Sequence, residues 1–102
     1  TSEQHEEILK ESIKKYREQG YKVIDLERKC PDAIVVKIVN GKIELNALEV
    51  LGEQWNLKKG WHKKFTYQSK KSIYHMFDKL IIESFRRGKE GIKDSKIITI
   101  KE

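Results

Sequence analysis

The sequence has one cysteine, one proline and no long hydrophobic run, and each shortage excludes a class of protein. Cys30 alone cannot build a disulfide framework or a cysteine-based zinc site. No apolar stretch approaches the ~20 residues that span a bilayer, so no membrane partner is expected. The N-terminus reads TSEQHEEILK, polar and acidic, unlike a secretory signal. Together these features predict an intracellular, cytoplasmic protein. No repeat or low-complexity segment is visible, and 102 residues suit a single domain, 1–102, with a modest core.

What is present is charge, unevenly spread. The net charge is +6, and 37% of residues are charged. Residues 1–52 carry 9 Lys and Arg against 10 Asp and Glu, whereas residues 53–93 carry 11 against 4. An excess confined to one half points to a polyanionic partner, here DNA. A Lys-rich solvated surface of the thermophile type gives the same count.

The periodicity predicts α-β-β-β-α-β, an α/β (α+β) chain with a mixed sheet flanked by helices. Leu9, Ile13 and Tyr16 recur at helical spacing over residues 3–19, and Gly20 ends that helix. Residues 21–27 read as a strand. Residues 32–39 and 42–51 are β-rich and separated by Asn40-Gly41, a turn signal for a two-residue hairpin. That turn pairs Val39 with Lys42, and every later pair of residue numbers then sums to 81. Lys37 faces Glu44, an opposite-charge pair that supports the register. Residues 66–87 read as a second helix, with a stripe of Ile73, Phe77, Leu80, Ile81, Ser84 and Phe85. Residues 96–100 read as a last strand.

The same register sorts the hairpin's faces. One carries Asp32, Ile34, Val36 and Ile38 opposite Glu49, Ala47, Leu45 and Ile43. It is apolar except for its last pair, which is two carboxylates. Opposed acids at the end of an apolar face repel unless a cation lies between them, and Mg²⁺ (or Mn²⁺) accepts one or two carboxylates with waters and phosphates. The alternative is a frayed end with each acid separately solvated. Glu6 falls on the Leu9–Ile13 stripe and is a candidate third metal ligand. Glu7 lies about 100° further round. Either acid can instead satisfy the helix N-terminus.

Lys58, Lys59, Lys63 and Lys64 lie among Trp55, Trp61, His62 and Phe65, a mixture suited to phosphate contacts and base stacking. A Trp packed on the sheet as core is the competing reading. His5, His62 and His75 have no zinc spacing and read as surface or nucleic-acid-contacting residues. Cys30 reads as a small packed residue.

The helix with an early Glu, Pro31-Asp32, and a hairpin returning through Glu49-Val50-Leu51 resemble the PD-(D/E)xK nuclease superfamily, the restriction-endonuclease-like fold. The archaeal Holliday-junction resolvases are similar in size and layout, and the resemblance covers roughly residues 5–100. It implies a Mg²⁺-dependent endonuclease that cuts DNA phosphodiester bonds, with branched or structured DNA as substrate. The implied metal ligands are Asp32, Glu49, the carbonyl of Val50, and Glu6 or Glu7. Asp32 and Glu49 are the implied catalytic acids. The family's Lys, two residues after the Glu, is Leu51 here. Lys70 or Lys71 is a candidate replacement, with Lys71 as the catalytic Lys and Lys70 beside Lys58, Lys59, Trp61, Lys63 and Lys64 on the DNA. Glu53 and Gln54 are further substitutes. The other reading is a fold that kept DNA binding and lost cleavage. One chain holds one site, so double-strand cutting implies a homodimer.

Overall fold

The computed structural model describes residues 3–27, 29–52 and 72–101. Helix α1, Glu3–Glu18, is followed by strands β1 (Lys22–Asp25), β2 (Ala33–Val39) and β3 (Lys42–Gly52), a 3-10 turn (Ile73–Met76), and strands β4 (Lys79–Phe85) and β5 (Asp94–Thr99). The strands form one mixed sheet in the order β1-β2-β3-β4-β5. Neighbours are antiparallel except β3 and β4, which run parallel. The protein is α+β. No helix among the described residues is long and apolar enough to cross a membrane.

The hairpin forms as its turn requires. Asn40 (φ 52°) and Gly41 (φ 76°) both take the left-handed conformation that a type I′ turn demands. Pairing runs from Val39↔Lys42 to Ala33↔Leu48, the register predicted from the turn.

The second expected helix is corrected within the described residues. Its middle, Ile73–Met76, is a 3-10 turn, and Lys79–Phe85 is a strand parallel to β3. The i, i+3, i+4 stripe there is coincidental. KLIIESF sits centrally in the sheet with both faces covered, so its apolar residues run nearly without alternation. Such a short apolar run fits either period. Ile81, Glu83 and Phe85 lie on the α1 side, and Leu80 and Ile82 on the other. Residues 53–71 lie outside the described set.

The hairpin's two faces are covered differently. Helix α1 packs on the mixed face, where Ala33, Val35, Leu48 and Val50 join Ile8, Leu9, Ile13, Tyr16 and Ile81 in one core. Small residues at Ala33 and Val35 let the helix approach, and Asn46 donates to Glu44 at 3.0 Å. Lys37 reaches across the rings of Tyr16 and Tyr21, with Nζ 4.8 Å from the Tyr21 centroid. Lys37, Glu44 and the Asn46 amide nitrogen thus have partners on this face, while Asn46 Oδ1 is buried without one. On the opposite face Ala47, Tyr74, Phe77, Leu80, Ile82 and Ile100 form a second core at one end, while Ile38 and Ile43 remain 75% and 68% exposed.

Glu83, with no exposed surface, ties helix to sheet. Its carboxylate accepts from Lys15 Nζ at 2.5 Å, from the Tyr16 hydroxyl at 3.1 Å and from Ser95 Oγ. A buried carboxylate is tolerable only with such partners. Removing the ammonium in Lys15→Ala leaves the charge uncompensated. We expect a loss of about 2–3 kcal/mol, below the ~3–5 of a fully buried pair because Lys15 is 36% exposed. Urea unfolding of that variant checks this, and a loss below ~0.5 kcal/mol would show the pair to be incidental.

Candidate functional site

The backbone ladder between β2 and β3 ends at Ala33↔Leu48. One step further, the two acids continue it with their side chains. The Asp32 N–H donates to Glu49 Oε1 at 2.9 Å, and the Val50 N–H donates to Asp32 Oδ2 at 2.8 Å. Asp32 and Glu49 therefore stand together where the register predicts, at the carboxyl-terminal end of β3. They are fixed by hydrogen bonds from the Asp32 and Val50 N–H groups rather than frayed apart.

Two further side chains close on the pair. His5, in the first turn of α1, directs Nε2 to the Val50 carbonyl at 2.9 Å and to Asp32 Oδ2 at 3.3 Å. A carbonyl only accepts, so Nε2 carries the hydrogen. The ring packs edge-on against Phe85, 6.3 Å between centroids. Its neighbour Gln4 holds this end of the helix in place. Gln4 donates to the carbonyls of Arg86 and Lys89, both at 2.9 Å, and accepts from the Gly88 N–H at 3.1 Å. On the other side, the Tyr74 hydroxyl lies near the Glu49 carboxylate and 3.2 Å from Cys30 Sγ.

The electrostatics are unequal. Burial, and then the charge of Asp32, raise Glu49 to about 7, against the opposing pull of the Asp32 N–H, the Tyr74 hydroxyl and His5. Its hydrogen bond to Asp32, partly offset by burial, raises His5 above its ordinary value. Burial raises the Tyr74 hydroxyl, and partial desolvation of Sγ raises the Cys30 thiol although the residue as a whole is exposed, so both keep their protons at neutral pH.

The residues singled out from the sequence are only partly brought together. Asp32, Glu49 and Val50 are adjacent. Glu6 is half-buried and lines a small cavity with Leu9, Asp25 and Glu27, while the helix residue that contacts the pair is His5. His5 is thus no surface residue, since its side chain is 15% exposed. It lies four residues before Leu9, so the Leu9–Ile13 stripe extended one turn back reaches it as well as Glu6. Cys30, expected as packed, is exposed. Leu51 packs partly buried against the Ala47–Tyr74 core. Glu53, Gln54, Lys58, Lys59, Trp61, Lys63, Lys64, Lys70 and Lys71 lie outside the described residues.

A divalent ion suits part of this donor set. Backbone N–H groups occupy one oxygen of each carboxylate, and an octahedral Mg²⁺ takes two carboxylates with waters and substrate oxygens. The Val50 carbonyl fits less well, because His5 already donates to it. Among the described residues, no three His, Cys, Asp or Glu side chains converge as a metal-holding group.

Both shifts in the site make metal-free stability fall as pH rises. Glu49 goes from an ordinary 4.5 to about 7 on folding. Its contribution is complete below 4.5 and lost as pH rises through 7. The raised His5 acts in the same sense: its contribution is present below 6.5 and lost above its folded value. We expect unfolding free energy to drop between about pH 4.5 and 8, with Glu49 responsible for roughly 3 kcal/mol. Urea midpoints across that range check it. The difference between wild type and Glu49→Gln isolates the carboxyl, and a difference that does not vary with pH counts against the assignment.

No family model, curated protein or solved structure matches this chain, so its chemistry has to be read from the residues themselves.

Proposed function

We propose that the chain is a Mg²⁺- or Mn²⁺-dependent endonuclease of the restriction-endonuclease-like type, cutting phosphodiester bonds in branched or structured DNA. The observation that carries this reading is the Asp32–Glu49 pair. Two carboxylates are held side by side, each accepting from a backbone N–H of the opposite strand, and Glu49 is only 8% exposed. A divalent cation resolves the cost of ionising both. The surroundings agree with the reading: a hairpin strand carrying the second acid, antiparallel to one neighbour and parallel to the next, with a helix across one face.

In this reading Asp32 and Glu49 hold the ion. Bound there, Mg²⁺ supplies charge to the scissile phosphate and lowers the pKa of an attacking water. His5 steadies Asp32 from the helix side, and Gln4 fixes the helix turn that carries His5. Leu51 supplies no ammonium, so orientation of the water falls to another group, with Lys70, Lys71, Glu53 and Gln54 as candidates. The Lys-rich stretch holding Lys58, Lys59, Lys63 and Lys64 supplies phosphate contacts. Two copies, one site each, are needed to cut both strands.

Leu51 favours a second reading, DNA binding without cleavage, because its side chain joins an apolar core where a catalytic ammonium is expected.

Nicking of supercoiled plasmid and cleavage of four-way junctions, each with Mg²⁺ and with Mn²⁺, separate the two. We expect cutting by the wild type and a loss of at least about 100-fold in Asp32→Asn and in Glu49→Gln, with DNA affinity kept. Leu51→Lys should raise the rate. Salt-dependent DNA binding with no cutting by the wild type or by Leu51→Lys would establish the second reading.

A further inference from the structure

The Val50 carbonyl faces the acid pair and already has a partner. In a strand the N–H and C=O of one residue point to the same side. The Val50 N–H donates to Asp32 Oδ2 at 2.8 Å, so its carbonyl turns toward the acids as well. The β2–β3 ladder ends at Ala33↔Leu48, and the donor to this carbonyl comes from helix α1, His5 Nε2 at 2.9 Å. Val50 is buried, and a buried carbonyl needs such a donor.

His5 Nε2 is also 3.3 Å from Asp32 Oδ2. A hydrogen within reach of both oxygens lies between them, on the side of the carbonyl from which a cation on Asp32 would approach. The imidazole is fixed there. Its ring meets Phe85 edge-on, and its side chain is only 15% exposed. The adjacent Gln4 ties the same helix turn to the carbonyls of Arg86 and Lys89 and to the Gly88 N–H. The oxygens left for an ion are therefore few. Beyond the two held by the Asp32 and Val50 N–H groups, each acid has one more, Asp32 Oδ1 and Glu49 Oε2. Divalent ions ask different things of such a set. Mg²⁺ and Mn²⁺ accept one or two carboxylates and complete an octahedron with water. Ca²⁺ takes about six to eight oxygens, backbone carbonyls and bidentate carboxylates among them.

We infer that His5 determines which cation the acid pair accepts. By holding the Val50 carbonyl it confines the protein's donors to the two carboxylates, a set that suits Mg²⁺ or Mn²⁺ and disfavours Ca²⁺. The inference rests on the metal-site reading given above and names a specificity-determining residue within it. His5 acts through Val50, by withholding an oxygen, and touches no ion itself. His5→Phe separates this role from packing, because a ring against Phe85 is kept and the N–H is removed.

Mn²⁺ affinity is measured by electron paramagnetic resonance, and Mg²⁺ and Ca²⁺ affinities by displacement of Mn²⁺. We expect His5→Phe to tighten Ca²⁺ binding by about 10-fold or more and to change Mg²⁺ and Mn²⁺ binding by less than about 3-fold. In the wild type saturated with Mg²⁺, the ¹⁵N–¹H signal of His5 Nε2 should keep its hydrogen-bond coupling to the Val50 carbonyl. That measurement needs no variant, so it decides the matter if His5→Phe does not fold. Loss of the coupling, or unchanged Ca²⁺ affinity in a folded His5→Phe, overturns the inference while leaving the metal site standing. An equal gain for all three ions overturns it as well, because His5 then discriminates among none of them. The comparison variant is Tyr16→Phe, near the far end of the same helix, where the hydroxyl donates to Glu83 at 3.1 Å. It should leave all three affinities unchanged, and a matching Ca²⁺ gain there also overturns the inference. If wild type and Glu49→Gln bind Mn²⁺ equally poorly, the metal-site reading and the inference fall together.

Discussion

The register of the β2–β3 hairpin is the constraint on which the rest of the structure depends. Asn40 and Gly41 alone occupy the turn, and both have positive φ, so the strands have one way to meet. That register puts Ala33, Val35, Leu48 and Val50 on the face covered by α1, and Asp32 and Glu49 on the other. A slip of one residue would reverse both assignments. It would bury the acids against the helix and expose four core side chains, which the apolar packing excludes at a cost of several kcal/mol.

Two buried carboxylates then divide the work of the sheet. Val50 pairs with Glu83 across the parallel β3–β4 ladder, so Glu83 lies one step from Glu49 but on the opposite side. Glu83 meets an ammonium and two hydroxyls, and its negative charge is matched. Glu49 meets a second carboxylate, the Asp32 N–H and an imidazole across the pair. The same helix backs both, through Lys15 and through His5 about 15 Å along its axis. One carboxylate fastens the helix to the sheet. The other is held in place with no cation among the described residues paired to it, the condition in which a carboxylate is useful to a ligand.

Much of this was legible in the sequence, for reasons that are local. The turn dipeptide, the β-rich strands and the Lys37–Glu44 pair determine the hairpin register, and arithmetic on that register places Asp32 by Glu49. Helix α1 is read from Leu9, Ile13 and Tyr16. The parallel strand β4 was not legible, because a strand buried on both faces loses the alternation that marks strands and Leu80-Ile81-Ile82 fits a helix equally well. Which face of the hairpin the helix covers was not legible for a related reason. Lys37, Glu44 and Asn46 look solvent-facing in a pattern of apolar and polar letters, yet each finds a partner there: the rings of Tyr16 and Tyr21 for Lys37, and each other for Glu44 and Asn46. His5 was missed because its role depends on a contact 45 residues away, to Val50, which no short-range period encodes.

The parallel pairing of β3 and β4 gives the site its last geometric property. Parallel neighbours end at the same edge of a sheet, so the carboxyl ends of both strands lie beside the acids, where α/β proteins commonly place ligands. Leu51 is on that edge, opposite Ser84 and on the same face as Glu49. It is partly buried, not sealed in. A longer basic side chain at that position can lay its methylenes along the same apolar core and still bring its charged end to water. Leu51 is therefore not forced on the fold by packing. In this chain the position two residues beyond Glu49 contributes apolar area.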